Sequence, residues 1–439
     1  MKKSSFRPLL TAAAACLLPV AAVHAQTTLQ SPGGQPGESA AQPAGTPMAT
    51  PMGENMAVPM SPAASISQPF PPVTSRLLDG EREGLQLRAR AGVERDDNVL
   101  RTASDEVSDT ITTMGLGLRY NKRIGLQRFV VDAEVDRFDY DKLALKYNTV
   151  NYAAAWYWAL GNRFDGIASA DRRQFRDVTS NGLAGAVSRR TERNELLEGG
   201  YRLGAGWRVL AGVQHNESTS TDPSSWDGNP SVDSVRVGTS YEFASGNTAA
   251  LRYRRGDGDY NNSVLGVPGF KDNEIEGTVR WALTAKTSVD GRLSWLERKH
   301  DGAPSRDFDG VTALLNANWD ATAKTRVFAG YGRDLGSYLF GDSGHLESDR
   351  VFVGGLWRPT VQTGVTLRYE HENRKWEDVV GSVDIGRSDK FNVLAVGLDW
   401  QPLRSVGVSA QLRNEKRDSS LPAFNYRANV IGLAVKFTI

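Results

Sequence analysis

The stretch that decides the fold is Tyr426 to Ile439, YRANVIGLAVKFTI. Read with a period of two, Ile431, Leu433, Val435, Phe437 and Ile439 share one face, in a row that Arg427 and Asn429 begin. Ala428, Val430, Gly432, Ala434, Lys436 and Thr438 alternate with them and are mostly small or polar. This alternation, with an aromatic near the tip, predicts a strand of an outer-membrane β-barrel, apolar toward lipid and small or polar toward the lumen. The strand is expected to close the barrel against the first one. Leu433, Val435, Phe437 and Ile439 form the expected insertion signal for the barrel-assembly machinery. Such signals usually finish on an aromatic, so Ile439 predicts somewhat weaker recognition.

Working outward, the same alternation repeats from Leu85 onward in segments of about ten to fourteen residues. Leu85, Leu87, Ala89, Ala91 and Val93 alternate with Gln86, Arg88, Arg90 and Glu94, and after a polar connection Met114, Leu116, Leu118 and Tyr120 alternate with Gly115, Gly117 and Arg119. Phe129, Val131, Ala133 and Val135 interleave with Asp132, Glu134 and Asp136, and Val150, Tyr152, Ala154, Trp156 and Trp158 line a fourth strand. Further strands are read near 164–175, 192–203, 207–217, 232–243, 248–256, 273–284, 286–298, 309–319, 325–334, 348–358, 362–373, 389–400 and 404–416. The total is about eighteen, an even number. The fold class is therefore all-β: a transmembrane antiparallel up-and-down barrel over 81–439.

Short and long connections alternate. Short turns are expected at Lys122 to Leu126, Gly161-Asn162, Gly204-Ala205-Gly206, Ser245-Gly246-Asn247, Thr284-Ala285-Lys286, Ala321 to Lys324, Pro359-Thr360 and Gln401-Pro402-Leu403. Trp158, Trp207, Phe243, Trp281, Trp319, Trp357 and Trp400 sit beside these turns, which places an aromatic girdle and the periplasm at that end. Longer connections at 96–109, 176–191, 218–231, 257–272, 299–308, 335–347, 374–388 and 417–425 then face outside. An even strand count puts both termini in the periplasm. A soluble sandwich shares the alternation but accounts for neither the turn pattern nor the tryptophans.

The chain begins MKKSSFRPLLTAAAACLLPVAAVHAQ. Lys2, Lys3 and Arg7, an apolar core from Leu9 to Val23, and Val23-His24-Ala25 read as a signal peptide over 1–25. A lipoprotein reading at Cys16 leaves an unusual apolar run, Leu17 to Val23, behind the lipid. Cys16 is the only cysteine, so a mature chain carries no thiol chemistry. Residues 26–80 are rich in Pro, Ala, Gly and Met, with ten of the 19 prolines between Pro32 and Pro72. This composition buries no core and predicts a disordered periplasmic arm. Met48, Met52, Met56 and Met60 recur every fourth residue in a pattern suited to Cu(I). The interleaved prolines prevent a helix from aligning them, and low-complexity drift explains the spacing as well.

Across 439 residues, Lys+Arg number 52 and Asp+Glu 51, so no strongly charged partner such as nucleic acid is implied. A mean hydropathy of -0.41 is too polar for a helical membrane protein. Charges concentrate on the lumen parity. Arg88, Arg90, Arg119, Arg236, Arg252, Arg254, Arg280, Arg292 and Arg368 share that face with Asp132, Glu134, Asp136, Glu274 and Glu276. Arginine forks suit carboxylate, sulfate or phosphate, so the set offers contacts to a passing glycan. Pairing across strands to fill the lumen is the plainer account of any single member.

No catalytic residue, metal site or cofactor is expected. Gly341-Asp342-Ser343-Gly344-His345 resembles a hydrolase string but lies in an expected loop, without the strand–turn–helix elbow. His215 and His371 fall on the lipid parity, and His300 and His345 in expected loops lack ligand spacing. Asp257, Asp259 and Asn261 begin like a calcium loop, but Pro268 stands where a Glu is required.

Gly92-Val93-Glu94-Arg95-Asp96-Asp97-Asn98-Val99-Leu100-Arg101, the Phe138-Asp139-Tyr140 strand end and the Trp156 to Gly161 turn resemble the EpsL-type outer-membrane barrels of exopolysaccharide biosynthesis operons. The resemblance covers about residues 80–439 and implies no catalytic residues. It implies passage or export of a secreted polysaccharide in the bacterial outer membrane, beside periplasmic export components. A general diffusion porin or small-solute channel is the alternative, and an outer-membrane hydrolase or a structural scaffold for surface polymer is a third. The partners expected are the polysaccharide, outer-membrane lipid and the assembly machinery.

Overall fold

The computed structural model describes residues 83–177, 187–222, 226–261 and 269–439. The expected signal segment, the arm with its methionine repeat, and Pro268 lie outside the described residues. Eighteen strands follow the chain: β1 (Gly84–Asp96), β2 (Asp109–Ile124), β3 (Gln127–Tyr140), β4 (Lys146–Leu160), β5 (Phe164–Asp177), β6 (Ser188–Gly204), β7 (Trp207–Ser220), β8 (Pro230–Glu242) and β9 (Thr248–Tyr260). The second half comprises β10 (Gly269–Thr284), β11 (Thr287–His300), β12 (Phe308–Thr322), β13 (Thr325–Ser337), β14 (Ser343–Thr360), β15 (Thr363–Val380), β16 (Ser388–Leu403), β17 (Val406–Ser419) and β18 (Tyr426–Thr438).

Every strand pairs antiparallel with its neighbours in sequence, and β18 pairs with β1. The sheet is a closed barrel and leaves no edge whose amides lack partners. The closing seam runs from Arg88 opposite Thr438 to Asp96 opposite Val430. Leu87 and Ile439 extend it with two backbone hydrogen bonds of 2.9 Å.

The parity read from the sequence holds along β18: Ile431, Leu433, Val435 and Phe437 are exposed, and Ala428, Val430 and Gly432 are buried. One rim carries the short turns and the exposed Trp207, Trp319, Trp357 and Trp400. Trp207, Tyr241, Phe243 and Trp281 touch in series there, with ring centroids 4.7–5.0 Å apart. At the upper edge of the apolar belt, outward tyrosines meet polar partners: Tyr253 donates to Asn273 at 2.9 Å, Tyr331 to Asp349 at 2.6 Å and Tyr369 to Asn392 at 2.8 Å. Rings that are apolar in body and polar at the tip bracket the belt on both sides.

The strands climb further than the alternation suggests. β9 takes in Asp257 and Asp259, β11 takes in His300, β14 begins at Ser343 and so includes His345, and β15 continues to Val380. Above the belt the outward positions become polar, as at Asn373 and Lys375, so the alternation fades while the ladder continues. A further connection at 141–145, between β3 and β4, is one the sequence does not mark. Two turns fall later than expected, at 361–362 and 404–405. Register shifts between Trp357 and Thr360, and between Trp400 and Leu403, carry Pro359 and Pro402 inside the strands. A bulge tolerates a residue that cannot donate to the ladder.

Candidate functional site

The lumen wall is built from arginines that lie flat along the sheet. Arg90, Gly115 and Asp136 stand side by side on β1, β2 and β3, as do Arg88, Gly117 and Glu134 one register row away. With no side chain on β2 at either row, Arg90 crosses it to reach Asp136 at 2.7 Å and Glu134 at 3.2 Å. Arg88 pairs with Asp132 in the same way. A Cβ at Gly117 would stand 3.2 Å from the Arg88 Nε.

The device recurs on β6 to β10. Glu198, Gly212 and Arg236 form one row across β6, β7 and β8. Arg236 reaches Glu198 over Gly212 at 3.1 Å, and Arg252 of β9 reaches the same carboxylate at 3.2 Å. Arg252 passes Gly238 to do so, and a Cβ there would stand 2.8 Å from its Cγ. Glu276 lies 3.5 Å from Arg252 and 3.7 Å from Arg236. Arg254 donates to Glu274 at 2.7 Å, Arg280 to Asp290 at 3.2 Å and Arg368 to Glu370 at 2.6 Å.

Most of the charged residues read as lumen-facing thus neutralise one another along the wall. Among them Arg119 and Arg292 make no ion pair with a described residue. Arg292 and Arg350 instead lie in the field of Asp334 on β13, which also feels Glu192 on β6.

The outer mouth holds what the sequence did not reveal. Trp226, in the connection between β7 and β8, is buried against Tyr338, Leu346, Trp376 and Val379. Leu346 and Trp376 face the lumen from β14 and β15. In return, Leu339 from the connection between β13 and β14 packs on Val232, Tyr260 and Phe270, which face the lumen from β8, β9 and β10. The Leu339 amide donates to the Trp226 carbonyl at 2.8 Å. Two connections thus exchange places inside the mouth and bridge separate sectors of the wall.

Arg306 clamps this bridge by donating to the carbonyls of Tyr338, at 2.8 Å, and Gly341. The Tyr338 hydroxyl donates to Asp384 at 2.5 Å. Burial, then that hydrogen bond, pushes the Tyr338 phenol up from its ordinary range. Arg387 continues the chain of contacts to Asp384 at 2.7 Å and Asp389 at 3.0 Å, with Phe424 and Trp376 facing its guanidinium. The one sequence signal for the bridge is apolar bulk, Trp226 and Tyr338-Leu339-Phe340, in stretches otherwise read as polar loops.

The first connection is also drawn inward. Asn98 and Val99 are each only 1 % exposed. Arg101 donates to Asp96 at 2.7 Å and to Glu415 on β17 at 2.8 Å, and Asn98 donates to the Arg427 carbonyl at 3.0 Å. Burial alone would pull the Arg101 guanidinium down; Glu415 and Asp96 outweigh it and hold it above its ordinary range.

Ser337, His300 and Asp307 stand in the order of a catalytic triad, with 3.5 Å from hydroxyl to imidazole and 3.6 Å from imidazole to carboxylate. The Ser337 oxygen already accepts from Tyr260 at 2.5 Å and from Arg298 at 2.9 Å. The His300 ring stacks on Tyr260 at 5.9 Å and shares its hydroxyl at 2.8 Å. With the hydroxyl saturated and the imidazole–carboxylate contact too long for a hydrogen bond, the group is a packed polar core. His345 likewise stacks on Phe308 at 5.0 Å.

The family described as "Putative beta-barrel porin 2" matches residues 276–439, from within β10 to the end of β18. The protein is a closed eighteen-stranded antiparallel β-barrel whose second half carries the likeness to that family. Among solved structures, the barrel is similar to Pseudomonas aeruginosa OpdQ, with 12% identity over 81% of this chain and 98% of that one and a TM-score of 0.44. It is also similar to Pseudomonas aeruginosa OccK1 (OpdK), at 13% identity over 81% and 98% with a TM-score of 0.45. A third is Pseudomonas aeruginosa OccK2 (OpdF), at 12% identity over 81% and 97% with a TM-score of 0.46. No curated protein matches the chain in sequence.

Proposed function

We propose that the protein is a passive pore for small polar solutes, with the long-connection rim at the cell surface and the short turns in the periplasm. The observation that carries this reading is the bridge in the mouth, where the Leu339 amide meets the Trp226 carbonyl at 2.8 Å. A bridge between wall sectors narrows the mouth, which favours small solutes over a thick polymer. The wall supports the same reading, because fixed cations and anions in alternation give a wet path for solutes of either sign. The match of residues 276–439 to a porin family agrees with it. The proposed role is transport, and the packed Ser337–His300–Asp307 group supports no hydrolysis.

Passage of a secreted exopolysaccharide, which the EpsL-type resemblance implies, is the second reading. Arg119 and Arg292 are its best glycan contacts, since neither holds a carboxylate. Purified barrel in planar bilayers and in liposomes separates the two. Steady conductance, with entry of monosaccharides and exclusion of long glycans, is the expected result. Absence of conductance and of sugar entry overturns the pore. Block of conductance by added polymer, with loss of surface polysaccharide on gene deletion, favours the second reading.

A further inference from the structure

The two ends of the barrel carry opposite fixed charge. At the short-turn end the charged residues that stand between strands are Arg163, Lys286, Lys324 and Arg404, all cations and all exposed. Lys324 donates to the Pro359 carbonyl at 3.0 Å, and none of the four makes an ion pair with a described residue. In the long connections the balance reverses. Asp97, Asp105, Glu106, Asp141, Asp301 and Asp307 are exposed there, and Lys142 is the one exposed cation among the described residues of those connections. Their other cations, Arg101, Arg306 and Arg387, are buried against carboxylates or carbonyls. The outward strand tops beside them hold both signs, as where Lys271 meets Asp301 at 3.4 Å and Lys299 meets Glu297 at 2.7 Å.

The wall carries the same bias. Near the short turns Asp165 is shared by Arg208 at 2.7 Å and Arg202 at 3.6 Å. Arg119 and Arg358, toward the same end, make no ion pair with a described residue. Farther up, Arg190 is shared by Asp227 at 2.6 Å and Asp177 at 3.1 Å, and Arg90 by Asp136 and Glu134. One cluster runs the other way, where Asp96 and Glu415 hold Arg101, Arg176 and Arg413, and it is largely buried at the seam. Fixed charges around a passage act together on an ion inside it. An anion is therefore drawn to the short-turn end and repelled at the other, and a cation the reverse. A zwitterion that points its cationic group toward the acidic end is attracted at both.

We propose that the two ends act as opposed electrostatic filters in series, so that the pore rectifies ionic current and passes small zwitterions faster than ions of the same size. Under one polarity both ions of a salt enter through the end that attracts them and accumulate inside. Under the other both enter through the end that repels them, and the lumen is depleted. The inference rests on the pore reading, and not on which end faces the cell surface.

The test is the current–voltage curve of single channels of the full chain, with entry of three solutes of similar size into liposomes. In about 0.1 M salt, where charges act over about 10 Å, the currents at opposite polarities are expected to differ at least about twofold. In about 1 M salt, where they act over about 3 Å, the ratio is expected to approach one. Glycine betaine is expected to enter faster than choline or pivalate. The variant Arg163→Gln, Lys286→Gln, Lys324→Gln, Arg404→Gln is expected to lose most of the rectification and to shift the reversal potential toward cation selectivity. Asp105→Asn with Glu106→Gln and Asp301→Asn is expected to shift it toward anion selectivity. A linear current in dilute salt, equal entry of the three solutes, or shifts of the same sign in both variants overturns the filters while leaving the pore. The salt dependence and solute entry of the parent decide the matter even where a variant does not fold. Absence of current and of entry overturns the pore, and the filters with it.

Discussion

Arg101 and Glu415 are 314 residues apart in the chain and 2.8 Å apart in the barrel. Their side chains are 4% and 1% exposed. The pair ties the first connection to β17, across the seam where β18 meets β1. Asp96 joins it from β1, and Asp97, the first residue of the connection, accepts from Asn429 of β18 in hydrogen bonds of 2.6 and 2.8 Å. The stretch from Gly92 to Arg101, which carries the EpsL-type resemblance, thus has a structural job: it latches the ends of the barrel together.

Removing Arg101 leaves Asp96 with Arg176 at 3.1 Å and Glu415 with Arg413 at 2.6 Å. The cost thus falls below the about 3–5 kcal/mol of breaking an isolated buried pair and nearer the about 1–3 kcal/mol of a lost buried hydrogen bond. Arg101→Gln is therefore expected to lower stability by about 1–3 kcal/mol, read as a lower urea midpoint in lipid vesicles. Glu415→Gln leaves Arg101 with Asp96 and should cost less. An unchanged midpoint in Arg101→Gln would mean that the seam is held by the backbone ladder alone.

The bridge predicts a functional change with little loss of fold. Trp226→Ser with Leu339→Ser removes both apolar tips while leaving every strand ladder intact. Single-channel conductance is expected to rise and the largest sugar admitted to increase. If conductance and size limit stay at parental values, the constriction lies elsewhere.

What was legible in the sequence follows from the range of each interaction. The face to which Leu433 or Arg252 points depends on counting by two along one strand, and the sequence reports it directly. That Arg252 meets Glu198 depends on four aligned strands and on glycines at 212 and 238, information that no single segment holds. The inward turn of Trp226 depends on which connection it meets 113 positions later at Leu339, and that is set by barrel closure. The strand tops were lost because Asn373 and Lys375 carry no apolar alternation, although their backbones continue to pair.

The glycines that let arginines cross the wall give a paired prediction. At Gly115 a Cβ would stand 2.1 Å from the Asp136 Oδ1, the movable end of a side chain. At Gly212 it would stand 2.6 Å from the Leu197 carbonyl oxygen, which is backbone. Gly115→Val is expected to fold, to part Arg90 from Asp136 and to shift the reversal potential in a salt gradient. Gly212→Val is expected to lower the yield of folded barrel. Equal behaviour of the two variants would remove the role given to these glycines.

The lipid face of β18 sets the last expectation. Leu433 stands between Val93 of β1 and Ala410 of β17, well inside the apolar belt, whereas Phe437 faces Ala89 and Val406 near the short-turn rim. A charge costs most at the bilayer midplane, about 2–4 kcal/mol for arginine, and about 0–1 kcal/mol near an interface. Leu433→Arg is therefore expected to destabilise the folded barrel more than Phe437→Arg, measured by unfolding in vesicles of defined thickness. Phe437→Asp tests assembly rather than depth, because it removes the aromatic of the closing strand. Its outer-membrane level is expected to fall even where the refolded protein is nearly as stable as the parent. A normal level would mean that insertion does not read this ring, while an equal cost for the two arginine variants would displace the midplane from Leu433.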